Sequence, residues 1–370
     1  MRSAVLQWRK AYSFIRLAHK DRSPLAAMTN RLFTIWTFAA LLVCSSIAHG
    51  SNWSVVSRGS LALNLGSVTS VFAIDVAFHA NGSIGSATVV SKIALSPGFD
   101  FEGIAYNGGV RNSVYLSEED TPGIREYNLA TGLQISSLTI PSVFSNKRMN
   151  FGLESLTKHL AAGVIWTANE EALTIDGPIS LLAAGTYVRL QELIESENGP
   201  TATSQFAYLV DPIHGGSSVT ADTRSGLTEL VALPDGTLLT LERSLASTIP
   251  PFENRIYQID STGATNLAGG AYDAGLAGAS FTPVGKSLLW RDQAGGGFGQ
   301  NLEGLTLGPQ LASGNWSLLG VVDSGDPLSN NTVVAFELIP PDCSLTGDFN
   351  CSGIVESGDY LAWKSTFGND

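Results

Sequence analysis

The chain has 370 residues, of which 44% are apolar, 15% are charged and 39 are glycine, and its formal net charge is −12. Few charges and many glycines suit short strands joined by tight turns. The acidic balance offers no basic patch to phosphates, which excludes nucleic acid and anionic membrane as partners and suits cation binding.

The N-terminal end comes first. Residues 1–50 hold seven of the 21 basic residues and one of the 33 acidic ones. From Met28, a basic start at Arg31 precedes the apolar run LFTIWTFAALLVC and then SSIAHG, the layout of a secretory signal cleaved after Ala48 or Gly50. An apolar run of about 13 residues is short for a bilayer span, so a membrane anchor is the lesser reading. Residues 1–27 resemble no fold element. Residues 1–50 are therefore expected to be an extension plus signal peptide, with a start at Met28. The product would be secreted, periplasmic or at the cell surface, with no membrane span once the signal is removed. Cys343 and Cys351 would remain, which suits one disulfide.

Next comes a repeat. DFEGIAYNGGVRNSVYLSEED starts at Asp100, FGLESLTKHLAAGVIWTANEE at Phe151, GLTELVALPDGTLLTLERS at Gly226 and NLEGLTLGPQLASGNWSLLGVVDSGD at Asn301. Each unit has an acid, a few strand residues, a Gly/Pro/Asn turn and a second strand ending in an acid. The first acids are Glu102, Glu154, Glu229 and Glu303; the second are Glu119, Glu170, Glu242 and Asp323. In a hairpin, the start of one strand neighbours the end of its antiparallel partner, so each pair should share one end. Further strand-like runs, GIREYNLATG, SQFAYLVDP and NRIYQIDSTG, lie between units as outer strands would. YVRLQELIESE from Tyr187 is the one hint of a helix, or else a strand and a loop.

Hairpins with outer strands at this spacing describe propeller blades. The expected fold is all-β: a propeller over residues 51–341, with about six or seven blades at roughly 40–50 residues each. The repeated acids should then meet at the mouth of a central channel. A β-sandwich does not lead one to expect paired acids.

The stretches FEGIAY, NFGLESLT, LVALPDGTLLTLERS and NLEGLTLGP, in that order over residues 98–338, resemble the blade motifs of the phytase-like family, described by esterase-like activity. The resemblance implies a propeller and a hydrolase acting on phosphoric or carboxylic esters. Glu154 is followed by Ser where the family pattern has Gly, and no first-blade motif precedes residue 98.

Crowded carboxylates stay ionised only beside a cation or an arginine. Oxygen ligands without histidine favour Ca²⁺ or Mg²⁺ over Zn²⁺, and His79, His159 and His214 have no metal-ligand spacing. Glu102, Glu154, Glu229, Glu303, Glu119 and Asp323 are the expected Ca²⁺ ligands. Arg243, Glu242 and Glu170 are the expected catalytic groups, with Arg243 placed to pair an anionic substrate oxygen. The competing reading makes Glu242 and Arg243 a structural ion pair, or the acids strand caps. No G-x-S-x-G, R-H-G-x-R-x-P, H-E-x-x-H or P-loop stretch occurs. The partner is expected to be a small ester or phosphate-bearing molecule. The alternative is a non-catalytic propeller that binds a ligand or polymer at the cell surface, which an irregular first blade favours.

The tail, residues 342–370, follows the double proline of LIPPDCSLTG. TGDFNCSGIVESGDYLAWKSTFG places Asp348, Asn350, Ser352, Ile354, Glu356 and Asp359 at loop positions 1, 3, 5, 7, 9 and 12 of an EF-hand, with Gly353 at 6. Asp at position 12, where Glu is usual, should weaken Ca²⁺ binding. The stretch resembles one half of a type I dockerin, which implies a cohesin-like or surface-anchoring partner.

Overall fold

A computed structural model describes residues 12–17, 53–63, 70–108, 110–220, 222–292, 300–323, 331–341 and 355. The described residues are strands and turns, with one short 3-10 helix at Ser142–Asn146. The strands are β1 (Tyr12–Leu17), β2 (Ser54–Leu63), β3 (Ser70–Phe78) and β4 (Ile84–Ala94), then β5 (Phe101–Tyr106), β6 (Ser113–Glu118), β7 (Gly123–Asn128) and β8 (Gln134–Leu138). Next come β9 (Leu153–His159), β10 (Val164–Asn169), β11 (Thr186–Ile194) and β12 (Thr201–Val210). They are followed by β13 (Arg224–Ala232), β14 (Leu238–Leu245), β15 (Phe252–Asp260) and β16 (Gly285–Arg291). The last are β17 (Leu302–Gln310), β18 (Trp316–Val322) and β19 (Asn331–Ile339).

Each repeated unit supplies the first two strands of a four-stranded antiparallel blade. The first three blades run β5-β6-β7-β8, β9-β10-β11-β12 and β13-β14-β15-β16, in chain order from the inside out. The fourth is β17-β18-β19, completed by β2 from the other end of the chain. A three-stranded sheet, β1-β3-β4, has β1 parallel to β3. The three outer runs named above form β7, β12 and β15, and the segment from Tyr187 is strand. Strand β1 lies in a stretch where the sequence suggested no fold element.

Alternation at period two gives each sheet two buried faces, and the apolar clusters lie between consecutive sheets. Tyr115 and Ile124 of the first blade meet Leu156, Ile165 and Leu193 of the second. Val188 and Tyr208 meet Leu227 and Leu230 of the third, whose Leu241 and Ile256 meet Leu318 and Phe336 of the fourth. The three-stranded sheet closes the circle: Phe72, Ile74 and Val76 pack on Val333 and Ala335, while Val71 packs on Phe101 and Leu116. Each fully buried Leu, Ile or Phe contributes about 1.5–3 kcal/mol.

Among the described residues, the expectation of six or seven blades is corrected to four four-stranded blades. Dividing the length by a typical blade counted long connections as strands. Residues 261–284 are one such connection, built of turns. They dock on the second blade through Leu267 and Leu276 against Ala207. The fully buried Arg189 anchors them, donating to both oxygens of Asp176 at 2.7 Å and to the Tyr272 carbonyl at 2.8 Å. The EF-hand-like ligands Asp348, Asn350, Ser352, Ile354, Glu356 and Asp359, with Cys343 and Cys351, lie outside the described residues, as does the apolar run after Met28.

Candidate functional site

In all four blades the first two strands slip register just after the inner strand begins. Leu153 faces Asn169 but Ser155 faces Ala168; Leu227 faces Glu242 but Glu229 faces Leu241. Leu302 faces Val322 but Gly304 faces Val321, and Phe101 faces Glu118 before pairing resumes at Ile104. The skipped residue of each bulge is Glu154, Thr228 and Glu303 in blades two to four; in the first blade it is Glu102 together with Gly103. A bulge re-aims the extra side chain, and these four occupy one equivalent position.

The second position follows from the same register. The backbone N–H of Glu119 donates to Asp100 at 2.9 Å, that of Glu170 to Gly152 at 3.2 Å and that of Asp323 to Asn301 at 2.9 Å. Arg243 faces Gly226 at the matching place in the third blade. The third blade thus carries Thr228 and Arg243 where the others carry two acids. Aligning by residue type had put Glu229 and Glu242 there, each one residue out.

Glycines let neighbouring blades meet at this end. A Cβ on Gly152 would lie 2.3 Å from the Glu119 carbonyl oxygen, and one on Gly226 would lie 2.6 Å from Cγ of Glu170. Glu119 and Glu170 therefore each lean on the start of the next inner strand.

Arg243 joins three blades. It donates to Glu170 through Nη2 and to Glu303 through Nη1, with Asn301 Oδ1 at 2.8 Å from Nη1. Asn301 in turn donates to Glu303 at 2.9 Å. Burial alone would depress the guanidinium, but Glu170, Glu303 and Glu154 outweigh it and hold its pKa above the ordinary value. The third blade supplies an internal counter-ion to the acids of its neighbours.

A separate group sits in the first blade. Asp100, Glu102 and Glu119 each offer one carboxylate oxygen, and these oxygens lie within 4.8 Å of one another. Two oxygens bound to one calcium at roughly 2.3–2.6 Å can be no more than about 5 Å apart, so this donor set fits a hard cation. Asp100 escaped the sequence reading because it precedes the repeated Glu. Its signal was its place two residues before Glu102, where the other units have Gly152 and Asn301.

Glu229 and Glu242 lie elsewhere. Buried Glu229 accepts from the Leu156 and Leu230 N–H groups at 3.0 and 2.9 Å, tying the second inner strand to the third. Burial pushes its carboxyl up. Glu242 faces away from Arg243, between blades two and three. It accepts from Tyr208 at 2.7 Å, Lys286 at 2.5 Å and the Asp211 N–H at 3.0 Å. Burial raises its carboxyl and Lys286 pulls it back. Asp323 closes the fourth-blade pair, and Glu154 is buried beside Arg243 and Glu229.

The search of curated proteins gives no match. Similar solved structures include a protein from Lactobacillus plantarum, at 12% identity over 79% of this chain and 69% of that one, with a TM-score of 0.29. A luciferin-regenerating enzyme matches at 12% identity over 68% and 81%, also with a TM-score of 0.29. Likeness at that level decides nothing about activity. The family model described as "Phytase-like: Esterase-like activity of phytase" matches residues 64–324, which takes in the bulge acids Glu102, Glu154 and Glu303 and, in the third blade, Thr228 and Arg243. With that match over most of its length, the chain belongs to the phytase-like family.

Proposed function

We propose that this protein is an exported hydrolase of phosphoric or carboxylic esters that works with Ca²⁺ held by Asp100, Glu102 and Glu119. The observation that carries the reading is the convergence of those three carboxylates at the bulge end of the first blade, on the scaffold of a family described by esterase-like activity. Calcium there would polarise a phosphoryl or acyl oxygen and favour attack by water. Arg243 and Glu170 stand at the equivalent end of blades two and three. Arg243 keeps its full charge among Glu170, Glu303 and Glu154, and an anionic substrate oxygen competing with them would be paired by a fixed donor fork. Glu242 faces another interface and is given no catalytic role.

Export rests on the segment from Met28 to Gly50, with the mature chain starting near His49 or Ser51. N-terminal sequencing of secreted material checks this; residues upstream of Met28 in that material would contradict it. The tail is assigned to Ca²⁺-dependent attachment, through a cohesin-like or surface partner.

A non-catalytic binding module is the second reading, favoured by the engagement of Arg243 with Glu170, Glu303 and Asn301. Incubation with phytate and with p-nitrophenyl esters, in calcium and then in chelator, separates the two. The hydrolase reading expects calcium-dependent release of phosphate or nitrophenol. No turnover of either substrate in calcium leaves the binding module.

A further inference from the structure

Away from the carboxylates, a cleft of about 740 Å³ opens between the outer strands of the first blade and the β11–β12 turn of the second. That volume lies within the roughly 300–1,000 Å³ of small-molecule sites. Its floor holds Tyr115 and Glu126, both buried. Glu126 accepts from Ser113 at 2.6 Å, Asn107 at 2.7 Å and Ser136 at 2.8 Å, so its charge is fixed and its oxygens are occupied. Burial would raise that carboxyl, but these donors and Arg111 hold it below the usual value.

Tyr115 is different. Its hydroxyl is buried and, although the Asn107 amide lies near it, makes no hydrogen bond of good geometry among the described residues. The nearby Asn107 amide already donates to Ser113 and Glu126. A buried hydroxyl left unpaired costs about 1–3 kcal/mol, and in native proteins such a group usually answers to a water, an ion or a ligand.

The lining decides the ligand class. Its charged groups are Arg111, Glu126 and Glu197, a net of one negative charge. Arg111, 61% exposed at the rim, already lies 3.5 Å from Glu126. An anion would face two carboxylates for one shared guanidinium, and a cation would find Glu126 already saturated. What remains are the neutral hydroxyls of Thr139 and Thr201, beside those of Ser136 and Ser137, which already serve Glu126 and Gln134 but can still accept or donate once more, with the apolar flanks of Leu138 and Pro200. Hydroxyl pairs and small apolar faces match a ring that carries hydroxyls on its edge and C–H groups on its face.

We infer that the cleft between the first two blades binds a neutral polyhydroxylated ligand, a sugar or short oligosaccharide, with the Tyr115 hydroxyl as one of its hydrogen-bond partners. This site is distinct from the carboxylate end and does not depend on the hydrolase reading.

Saturation-transfer NMR and calorimetry with cellotetraose, xylotetraose and maltotetraose test it, with phytate as the anionic comparison. At least one neutral sugar should bind at millimolar concentration. Tyr115→Phe, which keeps the ring in the core, should weaken it about fivefold to tenfold, the worth of one hydrogen bond. Ala202→Trp, at an exposed position on the cleft wall, should abolish it while leaving the melting temperature and any ester hydrolysis unchanged. Failure of all three sugars to bind would overturn the proposal. So would sugar binding that survives Ala202→Trp, or phytate binding that Ala202→Trp removes.

Discussion

Arg243 is the residue on which the acids of the second and fourth blades depend. Its side chain is 11% exposed and bridges Glu170 to Glu303. Removing it takes the guanidinium away from buried carboxylates, so Arg243→Met is expected to destabilise the fold by about 3–5 kcal/mol in denaturant titration. A loss under 1 kcal/mol, the scale of a surface pair, would show that the bridge is idle. Glu229 makes the opposite case. Its folded pKa is raised above the ordinary 4.5, so the folded state holds its proton more tightly than the unfolded one. Its contribution is full below 4.5 and is lost as pH rises through the higher folded value, by up to about 1.4 kcal/mol per pH unit. Glu229→Gln keeps an acceptor for Leu156 and Leu230 and has no charge to bury. Its stability should fall less steeply above pH 4.5 than that of the natural chain, with Glu242 and Glu171 still contributing slope of the same sign. Parallel profiles would remove Glu229 as a titrating group.

The bulge is the element that builds the site, and the glycine beside it lets the blades close. Gly152→Ala meets a backbone oxygen, which cannot move alone, whereas Gly226→Ala meets the Glu170 side chain. Melting curves should show the larger loss for Gly152→Ala, about 1–3 kcal/mol by the usual cost of overpacking. Equal or reversed losses would mean that the strands part readily here. The hairpins, their turns and six of the eight repeated acids could be read from the sequence, because alternation and turn residues act locally. The third blade could not. A bulge adds one residue without a mark in the pattern, so Glu229 looked equivalent to Glu303 while Thr228 holds that place. Asp100 was hidden for a similar reason, since it lies before the strand.

Across the whole molecule, closure depends on a pairing between distant parts of the chain. Strand β2 pairs with β19 from Ser54↔Ile339 to Leu63↔Asn331. No local pattern announces such a contact, and length divided by blade size overcounted the blades because the 261–284 connection is long. A chain beginning at residue 64 should lose cooperative unfolding, read as a broadened melting transition, while one beginning at Ser51 should keep it. A sharp transition from both would show that β2 does not hold the fourth blade.

The calcium assignment is tested most directly by melting a version of the chain that ends at Pro341, which lacks the EF-hand-like tail. It should be measured in calcium and then in chelator, beside its Glu102→Gln counterpart. If Asp100, Glu102 and Glu119 hold the ion, calcium at roughly a hundredfold its dissociation constant adds about 3 kcal/mol of stability to the parent chain. Glu102→Gln should lose most of that gain. Identical melting of the parent chain in calcium and in chelator would contradict the account and leave the three carboxylates as structural groups.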